Sequence, residues 1–243
     1  MGLKISSAAV LLAAMLVLLG GCSREKTRPM RAPAEGGTLV FAATLGGPPY
    51  TYADPVTGEP TGIDIDLAKA AAERLGQKLE IRIMEFSELI PSVKAGAVDF
   101  AGAAITITPN RARDVDFSTS YAQDGSAFLM RADRPPVTIV NAVSSRVATQ
   151  AGSVSFFYLC DHWVDPICYP TFEEALSDFE KGKLDAVFYD AEPIRHTVAE
   201  SKGAYAASPL ETREHYGLAI RKDFPELKAA VNAVVAERKG NPR

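Results

Sequence analysis

Short apolar runs alternate with amphipathic stretches along this chain, and each change of period predicts an element. Residues 39–43 form a compact apolar run and read as a strand. The segment Gly46-Gly47-Pro48-Pro49-Tyr50-Thr51-Tyr52 cannot be helical, because its prolines lack a backbone donor. It reads as a loop of the kind that binds. A turn follows around Thr57-Gly58. Ala and Leu then recur at helical spacing from Asp64 to about Leu75, where Gly76 supplies a stop. Residues 79–84 predict a second strand. Ser87 caps a predicted helix to about Ala95, which Gly96 ends, and residues 99–105 predict a third strand.

After the Pro135-Pro136 break the pattern resumes. Residues 147–150 read as a strand, and Gly152-Ser153 opens a helix with Ser153 as its cap. Thr171 caps a helix over 172–181. Residues 185–189 form a buried strand, and Asp190 begins another helix near Pro193. Residues 216–221 give a last strand and 225–238 a final helix with one apolar face. Strands alternating with helices predict parallel α/β construction. The chain shows no internal repeat and no low-complexity tract.

The strand-to-helix turn Thr106-Ile107-Thr108-Pro109-Asn110-Arg111 carries the most distinctive chemistry. Thr108 is placed to cap and Pro109 to open the helix, so Arg111 falls in its first turn. A guanidinium on a rigid element beside free backbone N–H groups suits two-point capture of a carboxylate. A surface arginine after an ordinary capped helix start fits the same spacing.

Composition narrows the class. A chain of 243 residues with 47% hydrophobic content can hold one large domain or two small lobes. A net charge of −4 argues against a nucleic-acid binder. Lys4 precedes an apolar run over 5–19 that is too short and too rich in Ala and Ser for a membrane span, so residues 1–21 read as a signal peptide. Its end, Leu19-Gly20-Gly21-Cys22, resembles a bacterial lipoprotein lipobox, which implies lipidation of Cys22. A plain secretory signal with a chance cysteine is the alternative. Ser23 follows Cys22, a non-acidic choice that in a Gram-negative cell implies sorting to the outer membrane. Residues 22–37 carry Arg, Pro and Gly and read as a flexible tether. Cys160 and Cys168 remain, and outside the cytoplasm a disulfide between them is expected. His162 lies between them, but three ligands in one short loop make a poor metal site, so no metal or cofactor is expected.

The motifs in order then carry a resemblance. Gly47-Pro48-Pro49-Tyr50-Thr51-Tyr52, Thr61-Gly62-Ile63-Asp64-Ile65-Asp66-Leu67-Ala68 and Leu89-Ile90-Pro91 come first. Asp99-Phe100, the 106–111 turn and Val115-Asp116-Phe117-Ser118 continue the series. Gln150-Ala151-Gly152-Ser153, Leu184-Asp185-Ala186-Val187 and Tyr216-Gly217-Leu218-Ala219-Ile220 complete it. Together they resemble the extracytoplasmic solute-binding proteins of family 3, the amino-acid receptors of ABC importers. The ligand cores of ionotropic glutamate receptors are similar.

That resemblance implies an α/β, two-lobe periplasmic-binding-protein fold (type II) with two hinge crossovers and ligand in the inter-lobe cleft. Lobe 1 would span 38–122 plus 215–243 and lobe 2 would span 125–210. It implies a ligand-binding set of Arg111, Thr106, Ala104, Asp190, Tyr50, Phe86, Ser153 and Val154. Arg111 would grip the α-carboxylate and Thr106 would contact the head group. The Ala104 carbonyl and the Asp190 carboxylate would take the α-ammonium. Tyr50 and Phe86 would wall the ligand, while Ser153 and Val154 would offer helix N–H groups to the carboxylate. Taken singly, Asp190 reads equally as a helix cap, and Tyr50 and Phe86 as core residues. The side of the pocket facing the ligand side chain would involve Tyr50, Tyr52, Phe86, Ser155 and Glu192.

The sequence departs from the family in places. Gly47 stands where many importer receptors carry an aromatic residue, and Thr44 and Leu45 stand near the acid used for basic amino acids. Val154 supplies no hydroxyl, and the chain ends at Arg243 soon after the last helix, which implies either a trimmed lobe 1 or a divergent relative of the family. The implied protein is a monomeric, lipid-anchored receptor on the periplasmic face of a bacterial membrane. It would serve an ABC permease or a membrane sensor. Two alternatives stand beside it. One is an enzyme of the cyclohexadienyl dehydratase type, for which Glu192, His196 and His162 are the candidate acids. The other is a docking lipoprotein that has lost ligand binding.

Overall fold

The computed structural model describes residues 37–240. The signal peptide, Cys22 and the tether as far as Gly36 lie outside the described residues.

The first half runs β1 (Thr38–Ala43), β2 (Tyr52–Ala53), β3 (Pro60–Thr61), α1 (Ile63–Arg74), β4 (Lys78–Ile83), α2 (Phe86–Lys94), β5 (Phe100–Gly102), α3 (Pro109–Ala112) and β6 (Asp116–Phe117). It continues through β7 (Ala122–Asp124) and β8 (Ser126–Arg131) to β9 (Val147–Gln150), α4 (Val154–Asp161), β10 (Ile167–Tyr169), α5 (Phe172–Glu180), β11 (Ala186–Asp190), α6 (Ala191–Glu200) and β12 (Tyr205–Ala207). The chain returns along β13 (Glu214–Tyr216) to β14 (Ala219–Ile220) and α7 (Pro225–Gly240).

Two five-stranded sheets make two lobes. One has the order β4-β1-β5-β14-β6 and the other β10-β9-β11-β8-β12. Each is buried on both faces, and the strand period shows how. Leu39 and Phe41 pack toward α1 and α7, while Val40 and Ala42 pack toward Leu89 and Val93 of α2. In the other sheet Leu129 and Val187 face Phe172 and Phe179 of α5, while Phe128 and Phe188 face Leu159 of α4.

The expected parallel construction holds only for three strands at one end of each sheet, β4-β1-β5 and β10-β9-β11. β1 pairs in parallel with β4 and β5, and β9 with β10 and β11. β14, β8 and β12 pair antiparallel. The cause lies in the two passages between lobes, which send β8 and β14 back against their neighbours. Those passages are β7 and β13, paired antiparallel with Glu214 opposite Asp124 and Tyr216 opposite Ala122. A two-stranded ribbon therefore forms the hinge.

Helix starts follow their caps in three cases. The hydroxyls of Thr108, Ser153 and Thr171 accept from the N–H groups of Arg111, Phe156 and Glu174. Ser87 is not a cap. α2 begins two residues earlier than that cap would set, with Glu85 at its cap position and no side-chain cap bond.

The bridge expected between Cys160 and Cys168 is not formed; both are exposed free thiols. Cys160 lies in the last turn of α4, while Cys168 lies in the edge strand β10 with its Sγ 3.9 Å from the Pro166 carbonyl. Partial desolvation, Cys160 and Asp165 hold the Cys168 thiol above its usual range, which disfavours the thiolate that begins disulfide exchange. Thiol titration of folded protein lacking Cys22 is expected to count two reactive groups. A count of zero would reinstate the bridge.

Candidate functional site

The hinge ribbon, the α3 turn, the α4 N-terminus and the end of β11 converge where the two lobes meet. Arg111 reaches across this junction. Its Nη1 donates to the Thr106 carbonyl at 2.9 Å, and its Nη2 donates to the Gly152 carbonyl of the other lobe at 3.2 Å. The guanidinium stands 5.3 Å from the centre of the Phe86 ring. Burial lowers its pKa, and the nearby charges of Glu214 and Asp190 oppose that shift.

Asp190 ends β11 and caps α6 without a side-chain cap bond. Its pKa is pushed well above the carboxylate range, first by burial and then by Glu214 and Asp124. Tyr216 and Arg111 pull the other way. Arg111 and Asp190, expected on opposite lobes, are thus within electrostatic reach of one another.

Ala104 has φ 49°, an uncommon left-handed conformation for a residue with a side chain. Together with Tyr50 and Tyr216 it forms a small buried cluster, in which the Tyr50 and Tyr216 rings meet edge to face at 5.2 Å. The Tyr216 hydroxyl is buried and has no hydrogen-bond partner among the described residues. Ser153 commits its hydroxyl to the helix cap and to the Gln150 carbonyl at 2.7 Å, and its N–H to that same carbonyl at 3.3 Å, which leaves the Val154 N–H for a ligand.

Glu214 joins the site although nothing in the sequence marks it among its polar neighbours. It is 3% exposed and accepts from Thr106 Oγ1 at 2.5 Å, Thr212 Oγ1 at 2.6 Å and Ser126 Oγ at 2.8 Å. Ser126 Oγ in turn lies 2.7 Å from Ser155 Oγ on α4. With its proton given to Glu214, Thr106 offers the cleft only lone pairs, which suits a cationic group. Only the step back from Tyr216 along β13 places Glu214 here, and no spacing rule marks it.

Thr44 is buried, with its hydroxyl given to the Met84 carbonyl at 2.7 Å. Gly47, with φ 101°, lies against Pro193 and Phe172, and Phe172 stacks on Tyr189 at 4.8 Å. The other lobe therefore fills the space a larger side chain at Gly47 would take.

The three candidate acids of an enzyme are not brought together. Glu192 pairs with Arg195 at 2.6 Å, and His196 stands 3.5 Å from Glu200 on the surface. His162 Nδ1 lies 2.8 Å from the Tyr158 carbonyl at the far end of α4.

Two cavities open at the lobe junction. One of about 770 Å³ is lined by Leu45, Pro48 and Tyr52 on one side and by Thr171, Glu173 and His196 on the other. Another of about 360 Å³ includes Thr108, Arg111, Val154 and Tyr158. Asp190 lines neither cavity, and both it and Arg111 keep part of their surface exposed.

A family model described as bacterial extracellular solute-binding proteins, family 3, matches residues 39–243. The ABC transporter glutamine-binding protein GlnH of Bacillus subtilis is 26% identical, over 99% of this chain and 94% of its own length. The arginine-bound form of truncated ArgBP from T. maritima is similar with a TM-score of 0.77 and 31% identity, covering 83% of this chain and 96% of that one. An ancestral amino acid-binding protein, a precursor of cyclohexadienyl dehydratase, is similar with a TM-score of 0.75 and 31% identity, covering 84% of this chain and 91% of that one.

Proposed function

Starting from the fact that this chain belongs to the bacterial extracellular solute-binding proteins, family 3, we propose that it captures an amino acid or a similar small zwitterion or carboxylate by hinge closure. It hands that solute to an ABC importer or a membrane sensor, as a protein held to the periplasmic face by lipid on Cys22.

One observation carries this reading. The cleft sets a cation from one lobe, Arg111, against an anion from the other, Asp190, and each perturbs the other's titration. A zwitterion brings both complements. Its carboxylate takes Arg111 and the α4 N–H groups, and its ammonium takes Asp190, the Thr106 lone pairs and the Ala104 carbonyl. Because the partners lie on different lobes, such a ligand binds the closed state better and so favours it. With Asp124 paired to Arg195 at 2.7 Å, Asp190 and Glu214 remain as the acids beside Tyr216, which supports an ammonium-bearing ligand over a simple anion.

Relatives in this family carry names for glutamine, arginine and other amino acids. With Thr44 committed to Met84, no acid meets a basic side chain at that position, which supports a ligand other than one read by a lobe 1 carboxylate. The likeness to an amino acid-binding precursor of cyclohexadienyl dehydratase supports the binding reading, and Glu192 is held by Arg195 and is not poised to protonate a leaving group.

Thermal unfolding against the common amino acids and related organic acids tests the reading. A true ligand at 100 times its Kd adds about 2.7 kcal/mol, seen as a clear rise in Tm. No rise with any compound, in protein refolded free of carried-over ligand, would defeat it.

A further inference from the structure

Asp64 is fully buried at the start of α1, yet nothing in the capture of a zwitterion uses it. Its Oδ2 accepts from the Ala104 N–H at 2.9 Å and from Thr51 Oγ1 at 3.4 Å. Its own N–H donates to the Tyr50 carbonyl at 3.1 Å, and the neighbouring Ile63 N–H donates to the Pro49 carbonyl at 3.0 Å. Gly62, with φ 113°, allows this approach, since a side chain there would run into the Tyr50 carbonyl. One residue thus ties together the two segments of this lobe that face the cleft, the Tyr50 loop and the Ala104 turn.

We propose that Asp64 is the positioning residue for the ammonium side of the cleft, holding the left-handed Ala104 peptide and the Tyr50 ring in the arrangement that a ligand meets. The proposal rests on the zwitterion reading given above. A side chain that costs free energy to bury needs a use, and a carboxylate here makes bonds that no apolar residue can replace. The bond to Asp64 offsets the strained φ of Ala104.

The charge of Asp64 matters as well as its shape. Burial raises its pKa to about 6, against the effects of the Tyr121 hydroxyl, the Ala104 N–H, the Thr51 hydroxyl and the more distant Arg238 of α7. Tyr50 faces it from the loop side. Apart from this pairing of Tyr121 with Asp64, neither the Asp64 Oδ1 nor the Tyr121 hydroxyl has a hydrogen-bond partner among the described residues. Loss of the charge below pH 6 weakens the bond to Ala104 and removes one negative charge from behind the ammonium site. Affinity should therefore fall as pH drops from 7 to 5.

Two measurements test this. In one, the Ala104 amide is followed by ¹H–¹⁵N NMR from pH 5 to 8 without ligand. It should shift with a midpoint near 6 in the wild type and show no such transition in Asp64→Asn. In the other, L-glutamine and L-arginine binding is measured by calorimetry. Asp64→Ala should weaken whichever binds by about tenfold at pH 7.5. Asp64→Asn, which keeps an acceptor for Ala104, should bind nearly as the wild type does at pH 7.5 but lose the decline toward pH 5 that Asp64 contributes. Asp190 remains in both proteins, so any decline left over belongs to it. If Asp64→Ala does not fold, Asp64→Asn and the amide titration decide. An Ala104 amide that ignores pH, or an Asn variant with the wild-type pH profile, would overturn the proposal. Wild-type protein that binds neither amino acid would count against the zwitterion reading, while the amide titration would still decide the role of Asp64.

Discussion

Arg111→Ala should lower the affinity for the captured solute by roughly 100-fold or more, while the fold stays intact. The expectation follows from what the guanidinium does in the cleft. It lies between a lobe 1 carbonyl and a lobe 2 carbonyl and supplies a strong positive charge close to Asp190 and Glu214. A ligand carboxylate that lost it would keep only the α4 N–H groups and would face those two acids without a balancing cation. The side chain is not part of either hydrophobic core, so Tm should change little. Titration calorimetry on folded variant protein decides the matter. Wild-type affinity in Arg111→Ala would mean that the carboxylate binds elsewhere. Arg111→Lys should recover only part of the loss, because an ammonium cannot hold a carboxylate in the same two-point fork.

Asp190→Asn should produce opposite changes in binding and stability. Affinity should fall by about 100-fold, since the ligand ammonium loses its charged partner on lobe 2. The ligand-free protein, however, should become more stable at pH 7 to 8. The sign follows from the raised pKa of Asp190 in the fold. Its proton is bound more tightly in the folded than in the unfolded chain, so the group favours folding below its unfolded pKa, about 3.9. That contribution is lost as pH rises through the folded value. Above it the ionised carboxylate sits buried beside Glu214 and Asp124 and opposes folding. Asparagine removes that repulsion. Scanning calorimetry should show a higher Tm for the variant at pH 8 and a gap that closes as pH approaches 4. A variant less stable than wild type at pH 8, or a gap independent of pH, would contradict this account of the cleft.

Local signals make much of the fold legible. Thr108-Pro109, Gly152-Ser153 and Thr171 each announce a helix start by a mechanism that acts within four residues, and each hydroxyl is found on its cap. β1 is equally plain, because a strand buried on both faces leaves an unbroken apolar run. β8 escapes the pattern although it is almost wholly buried and sits inside its sheet. Its residues, Ser126 to Arg131, follow a polar hinge and precede no helix, so the βαβ rhythm that reveals the other strands does not include it. The two-residue strand β6 is too short to carry any period, and the strand expected over 216–221 is divided between the end of β13 and the two-residue β14.

The candidate site divides along the same line. Arg111, Thr106 and Asp190 sit at element ends and can be found from turn chemistry together with motif order. Glu214 and Asp64 cannot be recognised as site residues in this way. Glu214 lies in the run Thr212-Arg213-Glu214-His215, which has the character of solvated surface until the ribbon folds it beneath Thr106. Asp64 fits the acidic first turn of an ordinary helix, a favourable position near the helix dipole. Its burial depends on Ala104, 40 residues further along the chain. Such contacts come from tertiary structure and leave no local pattern.

Under the proposed function, the bond from Arg111 to the Gly152 carbonyl makes solute capture an exchange rather than a simple addition. The guanidinium already has a partner supplied by the opposite lobe. An incoming carboxylate must evict that carbonyl, so part of the strength of the new ion pair goes into replacing the old contact. The same internal occupant gives the empty receptor a route to its shut form. A downstream permease or sensor that recognised only the shut outline would then register a background signal. To read a full receptor from an empty one, it has to respond to the difference in shut population that the guest creates, and that difference is limited by how much better a carboxylate suits Arg111 than a backbone carbonyl does.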